Sequence, residues 1–216
     1  MSVRDRIRRL VRPVTHVDSS DPRWYDQCYR QRPAAYMSPY RDSLYYFLWL
    51  ELAPRLLTFD HVLEVGCGTG QFAHMLHDLG VQGYTGFDFS CEGVEIASRR
   101  LDADFLVADA MTTDLFETVP YDAVVMTEVL EHIPDDVDML GRIRPGTHVF
   151  ATLPDFDCLD HVRYFLTRRD VRRRYGRALC GLQVETFRRE LDGAHFHLMQ
   201  GVTQRSGSSV PSSLDA

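Results

Sequence analysis

Several short clusters of this chain hold residue types that can do chemistry. In the run Val62-Leu63-Glu64-Val65-Gly66-Cys67-Gly68-Thr69-Gly70, a short apolar stretch carries one carboxylate and then three glycines at alternate positions, before Gln71 opens a helical stretch. Glycine reaches positive φ easily and has no Cβ to hold a ligand away, so this turn can lie directly against a nucleoside. Glu64 is harder to explain by packing. A carboxylate at the end of a buried strand is costly alone, and a cationic amino group on a bound ligand is a natural partner. The dinucleotide fingerprint needs glycine where Gln71 stands, and a pyrophosphate gains nothing from an adjacent acid, so a nicotinamide or flavin cofactor is the weaker reading.

Further acids recur at strand ends. Tyr84-Thr85-Gly86-Phe87-Asp88-Phe89-Ser90 reads as a second strand ending in Asp88, and Phe105-Leu106-Val107-Ala108-Asp109-Ala110 as a third ending in Asp109. Taken singly, either aspartate suits a helix N-cap. Tyr121 to Met126 is a fourth strand that runs into Thr127-Glu128-Val129-Leu130-Glu131-His132-Ile133-Pro134. One turn of backbone brings Glu128, Glu131 and His132 onto neighbouring faces, and Asp160-His161 can add a ligand, so two carboxylates and two imidazoles would suit magnesium, manganese, iron or zinc. Three such groups at helical spacing are more often a solvated face, and metal dependence is not favoured.

In order and spacing these pieces resemble the class I S-adenosylmethionine-dependent methyltransferases, whose first motif has the form hh(E/D)hGxGxG. The resemblance is strong over residues 60–155. It implies a cofactor site of Glu64, Gly66, Cys67, Gly68 and Gly70, with Asp88 and Phe89 at the ribose, Asp109 and Ala110 at the adenine, and Glu128 beside the cofactor. A carboxylate facing two hydroxyls suits the ribose task. The EVLEH segment matches two branches: ubiquinone-pathway O-methyltransferases, and small-RNA 2′-O-methyltransferases in which a later histidine completes the motif. Against the RNA branch, Asp155 stands where asparagine is usual, and no RNA-binding accessory domain is seen. The proline pair of base-amino methyltransferases is absent after strand four.

Methyl transfer from a sulfonium is an in-line displacement, and a hydroxyl acceptor needs a base. His132, after strand four, and His161, after strand five, are best placed for it; the remaining histidines fall before strands, in helices or within strands. The expected function is therefore methylation of a small-molecule acceptor, most readily at oxygen, with Glu128, His132 and His161 as the catalytic set. The alternatives are a metal-assisted RNA 2′-O-methyltransferase and a non-catalytic cofactor-binding protein.

These groups need a scaffold. Gly146 to Pro154 reads as strand five, and Leu182 to Phe187 and Ala194 to Val202 as the last two. Strands alternating with helices imply right-handed crossovers and a parallel sheet with ligand at the carboxyl ends where strand order reverses. The resemblance adds seven strands with the last antiparallel, giving a three-layer α/β Rossmann-like fold with helices on both faces. Residues 1–57 read as a basic amphipathic helix and an aromatic lid segment, 58–206 as the core and 207–216 as a loose tail of one domain. By the resemblance, the tyrosines Tyr25, Tyr29, Tyr36 and Tyr40 would reach cofactor or acceptor; simple packing is their plainer reading.

Composition narrows the rest. At 216 residues and 44% hydrophobic, the chain is one domain's size. No apolar run reaches the roughly 20 residues of a membrane span, and no signal peptide is evident, which with five scattered cysteines fits a reducing cytoplasm. There is no lysine, which removes Schiff-base chemistry. A net charge of −7 makes nucleic acid an unlikely partner, although Arg163, Arg168, Arg169, Arg172, Arg173, Arg174 and Arg177 crowd one segment. That cluster reads as a solvated basic helix face after a Thr167 cap, or as a binder of an acidic or phosphorylated acceptor. Oligomeric state is not readable from sequence.

Overall fold

A computed structural model describes residues 21–158 and 160–204. The basic helix expected over the first 20 residues and the expected tail from 207 lie outside these described residues. Seven strands, β1 (His61–Val65), β2 (Gly83–Asp88), β3 (Asp104–Val107), β4 (Ala123–Thr127), β5 (His148–Pro154), β6 (Leu179–Arg188) and β7 (His195–Thr203), form one sheet in the order β3-β2-β1-β4-β5-β7-β6. The pairs from β3 to β5 are parallel, and β7 is antiparallel to both of its neighbours. The expected fold class holds, with strand ends shifted by up to three residues, as at β6, which starts at Leu179 and not Leu182.

Both faces of the sheet are covered, which is why β1 and β4 are nearly continuous apolar runs. Leu63, Val65, Val124 and Met126 pack on one side with Leu130, Phe165 and Tyr175. Val62, Ala123 and Val125 pack on the other with Trp49, Leu52, Phe72 and Leu76. The helices are α1 (Pro22–Gln31), α2 (Pro33–Tyr36), α3 (Tyr46–Leu56), α4 (Gln71–Asp78), α5 (Cys91–Arg100), α6 (Leu115–Thr118), α7 (Asp136–Leu140) and α8 (Arg168–Tyr175). Pro22 and Pro33 sit in first turns, where a missing N–H costs nothing. Helix α8 starts as expected: Thr167 and Asp170 close a capping box.

Strand order reverses between β1 and β4, and in open α/β sheets ligands bind outside the carboxyl ends of the strands at such a point, here the crevice bounded by the loops after these two strands. The glycine loop follows β1 and the Glu128 segment follows β4. No helix among the described residues is long and apolar enough to cross a membrane.

Candidate functional site

The glycine loop is held from below. Phe87 carbonyl of β2 accepts both the Gly66 and Cys67 N–H groups, and Gly66, Gly68 and Gly70 all have positive φ. A Cβ on Gly66 would lie 2.6 Å from Val129 Cγ2, so the loops after β1 and β4 are in contact. Asp88 is 5% exposed and organises the turn: one carboxylate oxygen accepts the Gly68 N–H at 2.9 Å, the other the Ser90 N–H at 2.8 Å. Burial raises its pKa to about 6. The helix N-cap is Ser90, not Asp88.

Glu64 has a different partner from the cation expected of a ligand. It accepts the Tyr84 hydroxyl at 2.5 Å, and burial raises it to about 8. Gly86, opposite Glu64 in the parallel register, makes this possible, because a Cβ there would stand 2.3 Å from the Tyr84 oxygen. Asp109 and Ala110 lie just past β3, beside Asp88, whose carbonyl accepts the Ala108 N–H. Asp109 is exposed and its carboxylate accepts the Met111 N–H at 2.8 Å, closing a turn.

The aromatic arm covers this loop. Tyr29 is buried, and a Cβ on Gly68 would meet its hydroxyl at 3.1 Å. Tyr36 packs edge-on to Tyr29 at 4.9 Å, while Tyr25 reaches both Phe89, at 5.1 Å, and His132, at 6.1 Å. Thr69, Gln71 and Arg100 donate hydrogen bonds to Tyr36 and Ser38 carbonyls, and Asp26 accepts from Ser90 Oγ. Tyr40 is the exception and a correction. Its hydroxyl donates to Asp78 at the far end of α4 and its ring carries the Arg41 guanidinium, so the 3-10 turn Tyr40–Asp42 anchors the arm away from the crevice.

Across the crevice, Glu128 directly follows β4 at φ 56, the one non-glycine residue with positive φ among the described residues. Its N–H donates to Thr152 Oγ1 of β5 at 3.0 Å. Such a conformation costs of order 1–3 kcal/mol and persists where surroundings enforce it. Glu131 is fully buried. Three buried carboxylate oxygens, Glu128 Oε1 and both of Glu131, have no hydrogen-bond donor among the described residues. Burial raises Glu128 to about 7, and burial with the adjacent Glu128 carboxylate pushes Glu131 well above the ordinary range.

The two histidines meet here as expected, with ring centroids 5.0 Å apart. His132 Nδ1 lies 3.0 Å from the Asp160 carbonyl and His161 Nδ1 3.2 Å from the Phe156 carbonyl. A carbonyl only accepts, so each Nδ1 carries the proton and each neutral ring keeps its lone pair on Nε2. Burial lowers both pKa values and favours that neutral form. His132 Nε2 is 3.9 Å from Glu131 Oε1. Ligand atoms of Glu131, His132 and His161 all lie within 4.8 Å of one another.

Two features of the site escape sequence reasoning. The loop after β5 is stitched to the β4 loop by Val162 N–H donating to Glu131 carbonyl at 2.8 Å and by Arg163 donating to Leu130, Ile133 and Pro134 carbonyls. Arg163 and Arg174 also pair with fully buried Asp136, which accepts the Tyr175 hydroxyl too. Asp136 therefore draws Arg163 out of the solvated face, while Arg174 pairs with it and stays exposed, as do Arg168, Arg169, Arg172, Arg173 and Arg177. Distant sequence pairings such as Arg174 with Asp136 have no local signal.

The chain belongs to the methyltransferase-domain family, whose model matches residues 37–200. It is similar to a ubiquinone biosynthesis O-methyltransferase of Vibrio cholerae, 33% identical over 162 residues, covering 64% of this chain and 62% of that one. Another of that name, from Xanthomonas oryzae, is 30% identical over 139 residues, covering 60% and 55%. The chain thus spans about half to three fifths of these relatives' length. Among solved structures, the Burkholderia thailandensis 1,6-didemethyltoxoflavin-N1-methyltransferase, with bound 1,6-didemethyltoxoflavin and S-adenosylhomocysteine, superposes with TM-score 0.62 at 16% identity, over 90% of this chain and 94% of that one.

Proposed function

We propose that this protein transfers the methyl group of S-adenosylmethionine to a hydroxyl oxygen of a small molecule. The observation that carries this reading is the crevice itself: a glycine loop organised by Asp88 faces two neutral imidazoles across the point where strand order reverses. Gly66, Cys67, Gly68 and Gly70 offer backbone to the cofactor, Asp88 and Phe89 face its ribose, Asp109 and Ala110 its adenine, and Glu128 its methionine end. The arm, with Tyr25, Tyr29 and Tyr36, closes over both ligands and excludes water. In the transfer, the acceptor oxygen forms a bond to the methyl carbon as the carbon–sulfur bond breaks. The electron pair returns to sulfur, and the hydroxyl proton passes to His132 Nε2, with His161 beside it. Holding the three atoms in line supplies most of the rate. The oxygen preference draws on the histidines and on the printed names of the curated relatives.

A second reading is favoured by the orphaned carboxylates. Glu128, Glu131, His132 and His161 fit a divalent ion: two Nε2 lone pairs are fixed by hydrogen bonds at Nδ1, as ligating histidines commonly are, and buried carboxyl oxygens that an ion could deprotonate and bind stand beside them. Such an ion would act as a Lewis acid that lowers the pKa of the acceptor hydroxyl. Calorimetric titration with S-adenosylhomocysteine, run with and without a chelator, tests both readings. One-to-one micromolar binding is expected; no binding would remove the cofactor assignment. Acceptor turnover that survives the chelator would return the site to the histidine base alone.

A further inference from the structure

We propose that Cys158 and Asp160 complete a metal site built on His161, so that the ion this chain takes is a thiolate-binding transition metal of the zinc type, not magnesium. This rests on the metal reading above and adds residues that the EVLEH segment does not contain. Ligand atoms of Cys158, Asp160 and His161 lie within 4.8 Å of one another, and so do those of Glu131, His132 and His161. His161 belongs to both trios. Its Nδ1 is committed to the Phe156 carbonyl at 3.2 Å, which leaves Nε2 as the ligand atom.

The second observation is on the opposite wall. Glu131 is fully buried, both of its oxygens lack a hydrogen-bond donor among the described residues, and Oε1 sits 3.9 Å from His132 Nε2. Buried this way, the carboxyl is held in its protonated form unless a cation joins it and takes the proton's place. Asp160 braces His132 at Nδ1, where its carbonyl accepts at 3.0 Å and its carboxylate lies 3.6 Å away, so that Nε2 is left facing Glu131.

Geometry and chemistry then select the ion. Ligands at about 2.0–2.3 Å from a tetrahedral zinc stand roughly 3.3–3.8 Å from one another, so the present spacing closes with side-chain rotations of about an ångström. Cys158 is exposed, so an ion can reach its sulfur from solvent. Carboxylates and water alone suit magnesium or manganese, whereas two imidazoles and a thiolate favour zinc, cobalt or iron. On binding, the thiol gives its proton to solvent and the sulfur lone pair goes to the ion, so uptake releases one more proton than an imidazole–carboxylate site would.

Cobalt(II) is the probe, added to the full chain after chelator treatment, with uptake measured by dialysis and the spectrum recorded. The expected result is one cobalt per chain with a near-ultraviolet thiolate-to-metal charge-transfer band. Cys158→Ser should lose that band while keeping bound cobalt, bind zinc at least about tenfold more weakly, and keep its affinity for S-adenosylhomocysteine, which reports an intact fold. Cobalt bound without the band in the native chain, or a band unchanged in Cys158→Ser, would overturn the role of Cys158 and leave the metal reading standing. No cobalt or zinc uptake at all, with Glu131→Gln behaving as the native chain, would end the metal reading itself.

Discussion

The two walls of the crevice treat their polar groups in opposite ways. On the β1–β2 side each acid has a fixed donor: Asp88 takes two backbone N–H groups and Glu64 takes the Tyr84 hydroxyl. On the β4–β5 side, three buried carboxylate oxygens have none, and the residue that carries one of them, Glu128, sits at strained φ. Buried polar groups are nearly always paired, so a wall that leaves several unpaired is built for something that arrives. On the proposed reading, the first wall would take the nucleoside and the second a cation or a proton.

The sharpest way to break this contrast is His132→Ala. As base or as ligand, its loss should lower turnover about 10²–10⁴-fold while S-adenosylhomocysteine affinity changes little. Unchanged turnover would make His132 part of the packing. Asp88→Ala comes next, with cofactor affinity falling about 100-fold, since two charge-assisted bonds to the turn disappear along with the ribose contact. The turn itself depends on these bonds, so its melting temperature should drop as well. A native dissociation constant in that variant would refute the ribose assignment.

The contrast also predicts a pH dependence. Asp88, Glu128 and Glu64 are raised to about 6, 7 and 8, and Glu131 well above its ordinary value, so the folded chain keeps protons that the unfolded chain gives up. Their stabilisation is complete below the unfolded carboxyl value of about 4 and is lost as pH rises through the folded values. The lowered His132, His161 and His197 act in the other direction, but only below about pH 6.5, where an unfolded imidazole charges. Between pH 7 and 8 the acids set the slope: about two protons retained by the folded chain give roughly 2–3 kcal/mol per pH unit, or about 5–10 °C in melting temperature. Thermal melts of metal-free protein test it. A flat profile would contradict the burial of these acids, and Glu131→Gln should make the slope shallower.

The smallest effect belongs to Tyr40→Phe. It removes the bond to Asp78, should cost about 1 kcal/mol of stability, and should leave cofactor affinity within twofold. A tenfold loss of affinity would bring Tyr40 back to the crevice.

Much of this arrangement is readable along the chain because its pieces are local. Apolar runs ending in acids mark β1 to β4, alternate glycines mark the turn, and Thr167 with Asp170 marks the start of α8. The misses involve partners that only the sheet register brings together. Glu64 and Tyr84 are joined because Gly86 leaves room opposite Glu64. Asp136 collects Arg163 and Arg174, which looked like surface charge. Tyr40 shares its residue type with the true arm tyrosines, and only its Asp78 bond separates it from them. Cys158 is an exposed loop thiol that nothing in its neighbours distinguishes.

The order β5-β7-β6 has a consequence for synthesis. Strand β7 is the last strand among the described residues but lies inside the sheet, between β5, whose Phe150, Leu153 and Pro154 it pairs with, and β6. While a ribosome is still extending the chain, β5 presents a bare apolar edge, since β6 cannot reach it without β7 between them. Such an edge invites pairing with another nascent chain. The crevice wall formed by Glu128 and Thr152 leans on that same strand. Until residues 195–203 clear the exit tunnel, the Glu128 wall has no closed sheet behind it.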